Sequence, residues 1–232
     1  YDFKVGFSTK YYQHRKASFE RTDDIASWNA QYMGCPVERS GILFDPSQFK
    51  YFNGDLPEEG IIRKFMAVDP AFGGGDYCAA AILYQYDVGT FLVDVVFNNG
   101  DKKITQPILA GRIIEWGISA AQFECTRSTI SFKEKVEEIV HEKGYRCNIT
   151  YKPASTSVSK EVRIFDKAPD IKELYFLEPS KRNKEYEQFM NNVTSFQISG
   201  SNKHDDAPDV LAQAMDMMQS AGQSVIVRRR TF

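Results

Sequence analysis

The stretch KFMAVDPAFGGGD, residues 64–76, restricts the fold of this chain more than any other. Residues 64–68 form a short, mostly apolar run closed by Pro70 and by glycines 73, 74 and 75. That length and punctuation predict a buried strand rather than a helix, which needs a longer run. The strand ends on a carboxylate, Asp69. A carboxylate is costly to desolvate without a partner. It is tolerated at a strand's open end, where a cation or hydrogen-bond donors meet it. Read alone, Asp69 simply opens the turn that Pro70 and the glycines complete. The glycines read as a hairpin turn rather than a phosphate cradle, because strand-like residues and not a helix follow them.

Downstream, the pattern is regular. Residues 77–86 and 91–97 are apolar runs separated by a turn, so three strands in an antiparallel meander are expected. A helix follows, capped at Thr105, with Pro107 in its first turn and Ile108, Leu109, Ile113 and Trp116 on its apolar stripe. Gly117 stops it. Residues 118–124 form a buried strand that again finishes on an acid, Glu124. A second helix starts at Thr129 or Ser131, turns Phe132, Val136, Ile139 and Val140 inward, and stops at Gly144. Short strands over 149–151 and 175–177, a helix over 186–196 and a clean helical stripe over 210–221 complete this region.

Upstream, no single period holds. Residues 1–8 alternate weakly, and the polar, basic segment 10–21 reads as a solvated connector. Thr22 or Asp23 caps a helix carrying Ile25, Trp28 and Tyr32, which Gly34 and Pro36 end. A short strand is expected over 41–44, then an aromatic cluster of Phe49, Tyr51 and Phe52. The acidic, turn-rich segment 53–60 is the expected boundary between an N-terminal extension, residues 1–60, and a main domain, residues 61–222, followed by a basic tail, residues 223–232. The chain starts at Tyr1, which reads as a fragment or a processed piece.

Composition narrows the function classes. With 232 residues, 42% of them hydrophobic, the chain affords a sizeable core. The net charge of −2 means that nucleic-acid binding would have to come from a local basic patch. Cys35, Cys78, Cys125 and Cys147 form no C-x-x-C pair, which argues against a zinc site or a disulfide framework and fits a reducing compartment. No apolar run approaches the ~20 residues of a membrane span.

The acids carry the chemistry. If the first and fourth main strands are adjacent and parallel, Asp69 and Glu124 lie side by side at the C-terminal edge of the sheet, where ligand sites of open α/β sheets gather. In HDDAPDVLAQA, residues 204–214, Pro208 suits a first helical turn, so Asp206 reads as the N-cap and Asp209 as a projecting first-turn acid. Carboxylates meeting at one point repel unless cations join them. Mg²⁺ or Mn²⁺ suits such oxygens, and two ions about 3.5–4 Å apart are the device for in-line attack on a phosphodiester. Each acid also has a plain alternative: Asp206 as a cap, Glu124 as a partner of Arg127, Asp76 as a turn residue. His204 orients a ligand or is an ordinary residue beside a helix cap. Between residues 143 and 167, Lys143, Arg146, Lys152, Lys160, Arg163 and Lys167 outnumber Glu161 and Asp166, an excess of four positive charges. Lys160, Arg163 and Lys167 are therefore candidate contacts to DNA phosphates, with a solvated helix face as the alternative.

In their order and separations, VDPAFGGGD, FECT (residues 123–126) and HDDAPDVLAQA resemble the nuclease domain of tailed-phage large terminase subunits, a branch of the RNase H-like (retroviral-integrase) superfamily. The resemblance spans about residues 61–222. It implies an α/β fold: an RNase H-like mixed β-sheet, with an antiparallel three-strand meander plus parallel strands, flanked by helices. It also implies a metal-dependent endonuclease that cuts double-stranded viral DNA concatemers when packaging starts and ends, with two Mg²⁺ or Mn²⁺ ions. Asp69 and Glu124 match the first two metal-binding acids. The third lies among Asp205, Asp206 and Asp209, with Asp209 slightly favoured as a direct ligand by the capping argument. Implied partners are double-stranded DNA, an upstream ATPase domain of the same polypeptide, a portal protein and a small terminase subunit. The implied location is the cytoplasm of an infected bacterium and, transiently, the procapsid portal. The sequence contains no G-x-x-x-x-G-K-[ST] phosphate loop, so the motor itself is not expected here. The competing readings are another RNase H-like phosphodiesterase, such as a junction resolvase or hybrid nuclease, and a non-catalytic DNA- or portal-binding module.

Overall fold

A computed structural model describes residues 9–21, 28, 31–32, 41–70, 77–126, 129–154, 158–198, 202 and 205–221. These build a seven-stranded mixed sheet with helices on both faces. The strands are β1 (Lys50–Phe52), β2 (Ile61–Asp69), β3 (Cys78–Tyr86), β4 (Gly89–Asn98), β5 (Ala120–Cys125), β6 (Asn148–Pro153) and β7 (Tyr175–Leu177). The helices are α1 (Thr9–Arg21), α2 (Lys102–Glu115), α3 (Ile130–Glu142), α4 (Lys160–Lys172), α5 (Lys184–Thr194) and α6 (Asp206–Ala221).

The strand order is β1-β7-β4-β3-β2-β5-β6. The expected meander is present, β2 antiparallel to β3 and β3 to β4. β5 lies parallel against β2, with Val68 opposite Phe123, and β6 lies parallel against β5. This register makes Asp69 and Glu124 neighbours at one sheet edge. Side chains alternate along a strand, so Asp69 shares the face of Phe65 and Ala67. That face packs against Ile164, Ala168 and Ile171 of α4, Phe189 and Val193 of α5, and Val210, Leu211 and Ala214 of α6. The opposite face carries Met66, Val68 and Phe123 and packs against Leu109 and Ile113 of α2 and Phe132 and Val136 of α3. Ala79 and Ala81 of β3, both fully buried, present little bulk to α6, whose Ala207, Leu211 and Ala214 share their layer.

The boundaries of several elements differ from expectation. Helix α2 starts at Lys102, not near Thr105, because the Asp101 side chain accepts the N–H groups of Lys103 at 2.7 Å and Ile104 at 3.3 Å. Pro107 therefore sits inside the helix. Gly117 and Gly144 do follow helix ends with left-handed backbones, φ 61° and 72°, as their stop positions require. Residues 41–44 are not a strand: Ile42 makes one isolated bridge to Gln197, while Leu43 and Phe44 are buried. Part of the expected N-terminal extension, Lys50–Phe52, is a strand at the sheet edge, paired with β7.

The largest departure is α1. Its sequence is polar overall, which hides the one side that packs: Arg15, Ser18 and Phe19 are buried. Arg15 Nη1 donates to Asp170 Oδ2 at 2.6 Å, and Nη2 donates to the Asp166 carbonyl, tying α1 to α4. Tyr32 also donates to Asp166, at 3.0 Å, and its ring stacks on Trp28. Most of the helix expected from Thr22, the strand-like residues 1–8 and the basic tail lie outside the described residues. Among the described residues, no helix is long and apolar enough to cross a membrane.

Removing the buried Arg15 head takes the shared cation from Asp166 and Asp170, which among the described residues keep only the neutral donors Tyr32, Ser18 and Gln219 and, for Asp166, Lys167 at 3.8 Å. Arg15→Ala is expected to lower stability by about 3 kcal/mol in chemical denaturation, against less than about 0.5 kcal/mol for Lys16→Ala on the exposed side. Equal effects of the two changes would show that the α1–α4 ion pair contributes nothing.

Candidate metal centre

Asp69 ends β2, Glu124 is the penultimate residue of β5, and Asp209 lies in the first turn of α6. One oxygen from each carboxylate lies within 4.8 Å of the others. The arrangement follows from the fold. Parallel pairing puts the first two acids on adjacent strands, pleat parity points both toward α6, and the helix enters the sheet edge at its N-terminus.

The register left open among Asp205, Asp206 and Asp209 is decided by packing. Asp209 is fully buried and faces Asp69 and Glu124, and its Oδ2 accepts no hydrogen bond. Asp206 is not one of the three clustered acids: its Oδ2 accepts the Tyr77 N–H at 3.2 Å, just before β3. It is not the N-cap that the sequence suggested. Asp205 supplies the capping carbonyl, accepting the Asp209 N–H at 2.9 Å, and Asn192 of α5 accepts the Ala207 N–H through its side chain at 3.0 Å. Asp205 sits at the rim, 3.9 Å from Lys160. Asp76 and His204 lie outside the described residues, as do glycines 73, 74 and 75.

The three basic candidates of α4 are not equivalent. Lys160 has a half-exposed side chain whose Nζ lies 3.4 Å from Asp69 and 3.3 Å from Asp209 Oδ2. Arg163 is buried: Nη1 donates to Glu124 Oε1 at 2.6 Å, Nη2 to Glu124 Oε2 at 3.2 Å, and Nε to Asp209 Oδ1 at 2.9 Å. Lys167 is buried against Asp216 at 2.6 Å and donates to Gln219 at 2.7 Å, pinning α4 to α6. Arg163 and Lys167 thus spend their charge inside the protein, where they do not present it to a phosphate. Of the six basic residues counted in the sequence, Arg163 and Lys167 are internal, whereas Lys143, Arg146 and Lys160 are exposed and Lys152 is partly so.

No protein-family model matches the chain, nor does any curated protein. Solved structures do. The large terminase of a thermophilic bacteriophage superposes with a TM-score of 0.55 at 11% identity, over 92% of this chain and 54% of that one. A human cytomegalovirus terminase nuclease domain, manganese-soaked and inhibitor-bound, superposes with a TM-score of 0.53 at 7% identity, over 77% of this chain and 97% of that one. This chain has the fold of the viral large-terminase nuclease domain. It spans about half the length of the phage terminases it matches.

Within this RNase H-like fold, the oxygen-only donor set suits a hard divalent cation. A buried carboxylate oxygen without a hydrogen bond, Asp209 Oδ2, faces the same point. Burial pushes the Asp69 carboxyl up to about 7; Lys160 pulls it down, while Asp209, Glu124 and Asp206 push it further up. Asp209 is raised as well, by burial foremost, against the pull of Lys160 and Arg163. Sequence reasoning missed Gln213, whose side chain donates to Glu124 Oε2 at 3.0 Å. Its spacing from Asp209, one helical turn, was the available signal.

A carboxyl that holds its proton to about 7 against an ordinary 3.8 binds that proton more tightly in the folded chain. Its contribution to stability is therefore fully present at low pH and lost as pH rises toward 7. Chelator-treated protein is expected to lose stability between about pH 5 and about pH 8, and Asp69→Asn to lose less. Mn²⁺ competes with the same proton, so its affinity should rise over that window. Denaturation and titration at both pH values measure this; identical pH profiles for the two proteins would refute the assignment to Asp69.

Proposed function

We propose that the chain is a metal-dependent endonuclease that cuts double-stranded DNA with little sequence preference, acting during viral genome packaging. The observation that carries this reading is the gathering of Asp69, Glu124 and Asp209 within 4.8 Å at the C-terminal edge of an RNase H-like sheet. A bound Mg²⁺ or Mn²⁺ there would polarise a phosphodiester and lower the pKa of an attacking water. Asp69 and Asp209 would hold the cation. Arg163 and Gln213 hold the Glu124 carboxylate beside them, where it would add its charge to the cation's surroundings. Lys160, half-exposed at the same opening beside Asp69 and Asp209, would offset the charge of an arriving phosphate. The packaging role rests on the likeness to terminase nuclease domains, and with it come the proposed partners: an ATPase domain on the same polypeptide, a portal protein and a small terminase subunit. The proposed location follows from the same likeness: the host cytoplasm and, transiently, the portal.

Purified protein is expected to nick and linearise plasmid with Mn²⁺ or Mg²⁺ and to stop when the metal is chelated. Asp69→Asn and Asp209→Asn should each lower the rate by at least about 100-fold, since even groups that only orient metal ligands commonly matter by 10–100-fold. Plasmid left intact at every metal concentration would favour a DNA- or portal-binding module. Preference for four-way junctions or RNA–DNA hybrids over plasmid would move the reading to another RNase H-like phosphodiesterase.

A further inference from the structure

The number of divalent ions the centre accepts is set by the oxygens around it, and one residue controls those oxygens. Glu124 Oε1 accepts from Arg163 Nη1, and Oε2 accepts from both Arg163 Nη2 and Gln213 Nε2. Asp209 Oδ1 accepts from Nε and Nη2 of the same guanidinium. A carboxylate offers about four acceptor positions, so Glu124 keeps one, while Asp209 Oδ2 and Asp69 are approached only by the half-exposed Lys160 Nζ, at 3.3 and 3.4 Å. An ion that displaces this ammonium finds enough oxygens there for one site. A second ion shared by Glu124 and Asp209 would need oxygens that the guanidinium already holds and would sit against its positive charge.

Charge bears on the site as well. Lys160 and Arg163 already offset part of the negative charge of Asp69, Glu124, Asp205 and Asp209, so less of it is left for divalent ions. Nor is Arg163 free to swing away. Its helix is anchored by buried Ile164, Ala168 and Ile171, by Lys167 on Asp216, and by Arg15 of α1 on Asp170.

We propose that Arg163 is a positioning residue that acts as a fixed internal cation: it clamps Glu124 to Asp209 and takes the place of a second metal, so that the DNA-free protein binds a single divalent ion between Asp69 and Asp209 Oδ2. This rests on the metal-nuclease reading above and departs from the two-ion site that the sequence resemblance implies. The chemistry of the site then depends on an arginine that never touches substrate.

Mn²⁺ binding to the full chain without DNA tests this, read by calorimetry for stoichiometry and by electron paramagnetic resonance for coupling between ions. Wild type should bind one Mn²⁺ with an uncoupled spectrum. Arg163→Gln should be less stable without metal, gain a larger rise in Tm from Mn²⁺ than wild type, and bind a second, exchange-coupled ion. Arg163→Lys, which keeps the charge without the fork, should stay at one ion. Two coupled ions in wild type would overturn the proposal even if no Arg163 variant folds, and would leave the nuclease reading intact. One ion in both wild type and Arg163→Gln would also overturn it. No bound Mn²⁺ together with uncut plasmid would remove the nuclease reading and this proposal with it.

Discussion

Carboxylates at close range repel each other, and this fold brings three of them within 4.8 Å at the end of its sheet. The rest of the architecture is organised around meeting that cost. Two strands and a helix bring the acids in, and one further helix, α4, brings the compensating charge. Lys160 and Arg163, one turn apart on α4, both reach the acids. A buried carboxylate cluster of this kind is stable only when its charge is matched by protons, internal cations or bound metal. Two of these are present here, a proton held by Asp69 to about pH 7 and the internal cations Arg163 and Lys160, and an oxygen of Asp209 accepts no hydrogen bond.

The position of α4 is therefore a functional quantity. It is held on its apolar side by the sheet core and at its C-terminal end by Arg15 of α1, and Lys167 locks it to α6 beside Lys152, which also binds Asp216. Although burial opposes it, that pair of lysines keeps the Asp216 carboxyl below its ordinary value. A shift of α4 by even a fraction of a turn would release the guanidinium from Glu124 and Asp209 together, because both contacts come from one planar group. The N-terminal helix, which carries no acid of the site, is coupled to the centre through this packing.

The strand periods, the meander, the helix stops at Gly117 and Gly144 and the acids at the ends of β2 and β5 were legible in the sequence. These depend on local pattern: apolar alternation, run length and residues suited to turns. The same locality explains what was misread. Helix α1 looks like a solvated connector because only Arg15, Ser18 and Phe19 of its residues are buried, too few to write a periodic stripe. Helix α2 was started one turn late because Asp101 offers a better cap than Thr105.

The site divides along the same line. By itself the sequence determined that Asp69 and Glu124 close two strands and that a third acid opens a helix, since each follows from residue order. Only the tertiary structure decided which acid of the 205–209 group joins the others, because an Asp206 oxygen is taken by the Tyr77 N–H, which lies just before a strand more than a hundred residues earlier, and the helix start is satisfied by Asn192 instead. Only it decided that Arg163 and Lys167 lie inside rather than on a DNA-facing surface. A basic residue reads the same in a sequence whether it meets a phosphate or a buried carboxylate. The partner is chosen by which elements pack together, and that choice is made by the whole core.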